Sequence, residues 1–189
     1  MPLEDAFRWN KRYVHEKFDN FRLPRPFLVE NIDQIPGPGN TLDLAMGLGG
    51  NAGFLLERGY TVTGVDISGV AVRQAKQDHP RLDAVIADLS ESLPFSADSF
   101  DVILTFYYLE RSLWPQYRRV LRRGGILVLE TLTLDMNQER QDIDPRYLLQ
   151  PGELRAAFSD WQILAYREGW EETHDGYKKA TASLVARLV

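Results

Sequence analysis

The chain has 189 residues, which fits one domain with a single core, and its 44% apolar and 26% charged residues are ordinary for a globular protein. Its 27 acidic and 22 basic residues give a formal net charge of −5, which disfavours nucleic acid as a partner because phosphates require a basic face. The sequence contains no cysteine, which excludes disulfides, thiolate metal sites and cysteine nucleophiles.

No segment of the sequence predicts a membrane span or a secretory leader. The N-terminal stretch MPLEDAFRWNKRY has no apolar region, and no run approaches the roughly 18 consecutive apolar residues that a span requires. We therefore expect a cytoplasmic protein without a membrane partner or a metal site. The sequence does not indicate an oligomeric state.

The first predicted element is a helix over residues 4–18. At about 100° per residue, Phe7, Val14 and Phe18 share one face, and Trp9 and Tyr13 lie roughly opposite. One of these faces can pack on a core, and the other needs a different reason to be apolar.

A Pro/Gly-rich breaker, IPGPGN, follows this helix and precedes the first strand. We expect a single domain in which residues 1–39 form a helical N-terminal cap segment and residues 40–189 form an α/β core.

Seven strand-like segments follow in this core. They are TLDLAM (41–46), YTVTGVD (60–66), LDAVIAD (82–88), FDVILTF (100–106), GILVLET (125–131), WQILAYREGW (161–170) and KKATASLVARLV (178–189). The first five are nearly continuous in apolar residues, which indicates a parallel sheet buried on both faces. Asp175-Gly176 separates the last two and predicts a hairpin turn. The pattern predicts a doubly wound, mostly parallel seven-stranded α/β sheet that ends in an antiparallel hairpin.

Helices are predicted between the strands. They cover about residues 51–58, 69–77 and 113–122. Gly59 is placed to end the first in the left-handed conformation, and Ser68 and Ser112 are placed to cap the other two.

A glycine loop follows the first strand. Gly47-Leu48-Gly49-Gly50-Asn51-Ala52 fits the G-x-G-x-x-G/A fingerprint, in which missing side chains let a cofactor approach the backbone. Asp66 ends the second strand, 17 residues beyond Gly49, and suits a ribose diol. Asp88 ends the third strand and suits an adenine amino group.

Two cofactors are compatible with this loop. NAD explains the glycines and Asp66. S-adenosylmethionine also explains Asp88, the roughly 40 residues before the first strand, and the lack of a second substrate domain.

With these motifs in place, nearly the whole chain resembles the class I S-adenosylmethionine-dependent methyltransferases, which have a Rossmann-like fold. A more specific resemblance, to small methyltransferases of the tellurite-resistance type, rests on five segments. They are WNKRY (9–13), PFLVEN (26–31), FYYLERSLW (106–114), LVLETLTLD (127–135) and RYLLQPGEL (146–154). In that family the loop commonly reads Gly-x-Gly-Arg-Asn, whereas Gly50 stands here in place of the arginine.

The resemblance implies S-adenosyl-L-methionine as the cofactor. The residues expected to bind it are Arg12, Ala45, Gly47, Gly49, Asp66, Ile67, Asp88, Leu89 and Phe106. Arg12 is expected to pair with its carboxylate, and Asp43 is expected to order the loop by hydrogen bonds. The candidates for contact with the methyl acceptor are Trp9, Tyr13, Tyr107, Arg111, Glu130, Thr131 and Tyr147.

The expected activity is methyl transfer to a small molecule or oxyanion, such as a thiol or a selenium or tellurium compound. An NAD-dependent oxidoreductase and a non-catalytic cofactor-binding module are the alternatives. No general base is evident, because His15, His79 and His174 are isolated in the sequence, although Glu110 or Glu130 could accept a proton. Soft nucleophiles need little such help.

Overall fold

The frame of the molecule is one seven-stranded sheet with strand order β3-β2-β1-β4-β5-β7-β6. The structure is a computed structural model that describes residues 2–15, 19–90, 92–172 and 177–189. The strands are β1 (Asn40–Leu44), β2 (Thr61–Asp66), β3 (Asp83–Ile86), β4 (Phe100–Phe106), β5 (Leu121–Leu132), β6 (Gln162–Glu172) and β7 (Lys178–Arg187). Strands β1 to β5 are parallel, and β7 runs antiparallel to both β5 and β6. The predicted fold class is confirmed, while the predicted turn at Asp175-Gly176 lies outside the described residues.

Helices cover both faces of this sheet. They are α1 (Pro2–His15), α2 (Pro26–Glu30), α3 (Gly50–Leu56), α4 (Gly69–Asp78), α5 (Trp114–Val120) and α6 (Glu153–Ala157). Buried residues of α5 and α6 pack with Ile103 on one face, and those of α2, α3 and α4 pack with Val102 and Leu104 on the other. Strand order reverses between β1 and β4, which is where ligands bind in such sheets.

The helix before β5 differs from its predicted form. A 3-10 turn over Arg111–Leu113 precedes α5, and the cap is Glu110 rather than Ser112. The Glu110 carboxylate accepts hydrogen bonds from the Ser112 backbone N–H at 3.0 Å and from its hydroxyl at 2.7 Å. Leu121 is already extended and pairs with Phe100, so the helix ends at Val120 instead of continuing to residue 122.

Strand β3 is not buried on both faces as predicted. It lies at the edge of the sheet, and among the described strands its one partner is β2. Val85 and Ile86 are consequently 39% and 56% exposed. An apolar run predicts a strand but does not reveal whether the strand has one neighbour or two.

Helix α1 faces the protein with the side that carries Trp9 and Tyr13. Phe7 and Val14, on the other side, are 73% and 61% exposed. The Asn10 amide oxygen anchors the inner side, because it accepts hydrogen bonds from the Ser68 hydroxyl and the Val70 N–H at the start of α4. Residues 16–18 of the predicted helix lie outside the described residues.

Among the helices that the structure describes, none is both long enough and apolar enough to cross a bilayer.

Candidate functional site

The loop after β1 turns through three left-handed residues. Ala45 has φ 53°, Gly47 φ 56° and Gly49 φ 78°. Positive φ is costly for alanine, and such strain collects at functional loops. Gly49 then begins α3 as its N-cap residue, at the edge where the strand order reverses. The loop thus presents backbone, rather than side chains, toward that edge.

Asp66, at the end of β2, is buried and holds this loop. Its carboxylate accepts hydrogen bonds from the N–H groups of Gly47 and Ser68, each at 2.8 Å. Burial raises the pKa of Asp66, and these backbone donors oppose the rise. The Ile67 N–H also donates to this carboxylate, which offers about four acceptor positions, so one position is left for a further donor. Ribose hydroxyls are donors of that kind.

Asp43, within β1, lies below the loop and is only 1% exposed. It accepts a hydrogen bond from the Ala52 N–H, as the prediction that it orders the loop requires, while burial raises its pKa to about 8. Its Oδ2 has no hydrogen-bond partner within the described ranges. A buried oxygen of this kind costs free energy unless a donor reaches it, and an ammonium group would satisfy it.

Helix α1 brings two of the predicted aromatic residues to the same place. The Tyr13 hydroxyl lies 2.8 Å from the position that a Cβ on Gly47 would take. Trp9 stacks on Tyr13 with 5.8 Å between ring centroids, and the Arg12 guanidinium lies 4.9 Å from the Trp9 centroid. Burial and the nearby Asp66 carboxylate raise the pKa of Tyr13.

Arg25 also belongs to this site, although no sequence motif selects it. Its guanidinium carbon lies 4.8 Å from the ring centroids of both Phe21 and Tyr107. Its backbone N–H donates to the Asn51 side chain at 2.8 Å. The only sequence signal was its position directly before the segment PFLVEN.

The loop glycine at position 50 has a steric explanation. A Cβ there would lie 2.7 Å from the carbonyl carbon of Leu23 and 2.8 Å from that of Arg22. The segment that precedes Arg25 therefore fills the space that a side chain would need. An arginine at this position, which is common in the tellurite-resistance type that the sequence resembles, would require that segment to move.

A second polar cluster lies where β4 and β5 end. Tyr107 follows β4 with φ 57°, a strained value for a tyrosine, and its N–H donates to the Glu130 carbonyl at 2.8 Å. Burial raises the pKa of Tyr107, as does its hydroxyl's hydrogen bond with the Glu130 carboxylate. That carboxylate is buried and also accepts from the Ser183 hydroxyl at 2.7 Å, with Arg167 Nη2 at 3.5 Å.

Asp88 is placed more openly than Asp66. It is exposed beyond the end of β3, and its carboxylate accepts from the Ser90 N–H at 2.9 Å and the Ser90 hydroxyl at 2.8 Å. Its charge contributes to raising the pKa of Tyr108. Three other predicted cofactor residues lie along these strand ends: Ile67, half-buried, and Leu89 and Phe106, both buried.

The structure places the acceptor candidates Arg111, Thr131 and Tyr147 in three different environments. The Arg111 guanidinium forms two hydrogen bonds with the Glu153 carboxylate, at 2.5 and 2.8 Å, and donates to the carbonyls of Arg146 and Leu148. Thr131 is 2% exposed, and Tyr147 is 51% exposed. Arg111 therefore joins two chain segments, a role that spacing along the sequence does not reveal.

The histidines that the structure describes have structural or surface positions. His15 is exposed, and His79 packs against Gly49 and Gly53, where burial lowers its pKa. His174 lies outside the described residues. No three His, Asp or Glu side chains in the described ranges converge as metal ligands.

Residues 41–125 match the family model described as a methyltransferase domain. Among curated proteins, the chain is 27% identical over 192 residues to hemagglutinin 1 of Eikenella corrodens, covering 88% of this chain and 60% of that protein. It is 34% identical over 111 residues to an uncharacterized methyltransferase of Synechocystis, covering 55% and 51%. It is 31% identical over 107 residues to a 23S rRNA (guanine(748)-N(1))-methyltransferase of Streptomyces fradiae, covering 56% and 38%. The chain thus spans 38–60% of the length of these relatives.

Solved structures share the fold. An S-adenosylmethionine-dependent methyltransferase of Methanosarcina mazei superimposes with a TM-score of 0.72 at 22% identity, covering 88% of this chain and 99% of the other. TehB of Haemophilus influenzae superimposes with a TM-score of 0.71 at 19% identity, covering 97% and 67%. At these identities the likeness establishes the fold.

Proposed function

We propose that this chain, which has the fold of the class I S-adenosylmethionine-dependent methyltransferases and carries their domain over residues 41–125, methylates a small molecule or an oxyanion. The cofactor of this domain class is S-adenosylmethionine, which supplies an electrophilic methyl group on a sulfonium. Because the matched domain is a methyltransferase domain, NAD is disfavoured as the cofactor.

The observation that carries the proposal is the unsatisfied polar capacity around the glycine loop. Asp66 can accept one further donor, which suits a ribose hydroxyl, and the orphaned Asp43 Oδ2 suits the ammonium group of an amino acid. Gly47 carries no side chain, and among the described residues the Tyr13 side chain alone comes within 4 Å of the position that a Cβ would take. These residues fit a nucleoside joined to an amino acid.

The acceptor end of the site is assigned to the cluster around Tyr107. In-line methyl transfer needs the nucleophile aligned with the leaving sulfur and water excluded, which are tasks of position and packing. Tyr107 and Glu130 are held by Ser183 and Arg167, so they offer a rigid polar wall at the end of β4. Trp9 and Tyr13 offer aromatic faces for the sulfonium.

The net charge favours a small acceptor over RNA, because a value of −5 gives no general attraction for phosphates. The five segments that resemble methyltransferases of the tellurite-resistance type support a chalcogen oxyanion or thiol as the acceptor class.

Calorimetric titration with S-adenosylhomocysteine and, separately, with NAD tests the cofactor. We expect binding of the first and no comparable binding of the second. Transfer of a radiolabelled methyl group to thiols, selenite, tellurite, amines and a 23S rRNA fragment then tests the acceptor. Transfer to RNA alone would contradict the small-acceptor proposal, and binding without any transfer would favour a non-catalytic module.

A further inference from the structure

We propose that Arg25 binds an anionic group, a carboxylate or an oxyanion, of a ligand at the strand-end site. The proposal rests on the proposed function for the location of that ligand. Two ligands could supply this anionic group. One is the carboxylate in the amino-acid part of the cofactor, and the other is an oxyanion that serves as the methyl acceptor. The guanidinium is suited to either because its N–H donors form a fixed fork.

The first reason is that the Arg25 guanidinium is held by aromatic rings, and its charge effect on Asp43, which lowers the pKa of that carboxyl, is made without a hydrogen bond. Its guanidinium lies against the rings of Phe21 and Tyr107, whereas the hydrogen bond that Arg25 donates to Asn51 is made by the backbone N–H. Within the ranges that the structure describes, no carboxylate or carbonyl accepts a hydrogen bond from the guanidinium. By contrast, Arg111 and Arg122 each have a carboxylate partner.

The second reason is that contacts with the glycine loop hold the backbone of Arg25 in place. The Asn51 side chain accepts from its N–H, and Gly50 leaves space for the backbone of Arg22 and Leu23. Two consecutive residues of the glycine loop thus position the segment that carries the guanidinium. Because the guanidinium already stacks on both rings, it loses less conformational entropy when an anion binds.

The third reason is the local charge. Asp43 and Asp66 are the carboxyl groups on the loop side, and Glu130 lies on the Tyr107 side. Burial raises the pKa of Asp43 to about 8, which reduces its negative charge at neutral pH until a cation such as an ammonium group pairs with it. Glu130 is engaged with Tyr107, Ser183 and Arg167. Lys179 Nζ lies 5.0 Å from the Tyr107 centroid and adds a second cation at this ring.

The test compares Arg25→Met, which keeps an apolar stem, with Arg25→Lys, which keeps the charge without the fork. Arg58→Met is the matched control, because Arg58 also lies over an aromatic ring, that of Phe54, and donates to the Phe54 carbonyl within α3. Each variant is titrated calorimetrically with S-adenosylhomocysteine and with 5′-methylthioadenosine, which lacks the amino-acid group. Selenite and tellurite are then titrated into the protein saturated with S-adenosylhomocysteine.

We expect Arg25→Met to weaken one of these ligands by about 10- to 150-fold, the effect of losing charge-assisted hydrogen bonds. Weaker S-adenosylhomocysteine binding with unchanged methylthioadenosine binding identifies the cofactor carboxylate. Unchanged S-adenosylhomocysteine binding with lost oxyanion binding identifies the acceptor. Arg25→Lys should retain part of either affinity, and Arg58→Met should retain all of it.

Equal affinity of wild type and Arg25→Met for every probe would overturn the assignment, provided that both proteins have the same thermal unfolding midpoint. If wild type fails to bind S-adenosylhomocysteine, the proposed function fails instead. The oxyanion titration of the unliganded protein then decides on Arg25 by itself, and failure of the anions to bind there overturns the assignment as well.

Discussion

The two halves of the strand-end edge are built in different ways. At β1 and β2 the site consists of backbone groups and two carboxylates within one short stretch of sequence, Asp43 to Asp66. At β4 and β5 it consists of side chains from distant elements, since Tyr107 and Glu130 meet Arg167 of β6 and Ser183 of β7. The residues of the first half lie close together in the sequence, whereas the second half depends on how the last two strands add to the sheet.

This difference teaches where specificity can vary. The loop at β1 and β2 is held by two carboxylates that accept from its backbone N–H groups, so few positions there are free to vary. A cluster assembled from β4, β5, β6 and β7 can change with any of these strands. We therefore infer that the β4–β5 half determines the acceptor.

The largest expected effect comes from breaking the β4–β5 half. Glu130→Leu leaves the hydroxyls of Ser183 and Tyr107 without their acceptor in a buried place, at about 1–3 kcal/mol for each orphaned group. We expect the free energy of unfolding to fall by about 2–5 kcal/mol in urea denaturation. The affinity for S-adenosylhomocysteine should not change, if the halves are separate. A loss of that affinity in the folded variant would show that the two halves are coupled. Glu130→Gln is the control, because the amide oxygen can still accept a hydrogen bond.

The next effect comes from the other half. Asp66→Asn replaces one of the two carboxylate oxygens with a donor, which then faces a backbone N–H. We expect S-adenosylhomocysteine to bind about 1–3 kcal/mol more weakly, measured by calorimetry. Asp83→Asn is the matched control and should bind as wild type does, because Asp83 is exposed at the start of β3, whereas Asp66 pairs with the end of that strand. Unchanged binding by Asp66→Asn would remove this carboxylate from the cofactor site.

Much of the first half could be predicted from the sequence, and little of the second. Glycines followed by Asp66 at a fixed spacing report a local turn, and hydrophobic patterns report strands. Arg25, Asn10 and Ser183 carry no such pattern, because their partners are 26, 58 and 53 residues away. Glu110 replaced Ser112 as a cap for a related reason, since either residue type can accept at a helix start and only the backbone path decides.

A third prediction concerns pH and the buried carboxyl of the first half. In the folded protein Asp43 keeps its proton up to about pH 8, whereas in the unfolded chain it loses it near pH 4. The folded state therefore binds more protons between these values, and this contribution to stability is lost as the pH rises through the folded pKa. The slope is at most about 1.4 kcal/mol per pH unit. Asp43→Asn should remove that slope from urea denaturation between pH 5 and pH 8, and an unchanged slope would mean that Asp43 is ionised in the fold.

The smallest effect tests how α1 closes the first half. Asn10 accepts from Ser68 and Val70 at the start of α4, so Asn10→Ala removes a cap supplied by another helix. We expect a loss of about 1 kcal/mol in the free energy of unfolding, as for other N-cap deletions. Phe7→Ala, on the exposed face of the same helix, should change it by no more than about 0.5 kcal/mol. In the structure α1 is anchored through Asn10, and Phe7 lies on its exposed face. A larger loss of stability from Phe7→Ala than from Asn10→Ala would therefore mean that α1 packs through the opposite face, away from Gly47 and Asp66.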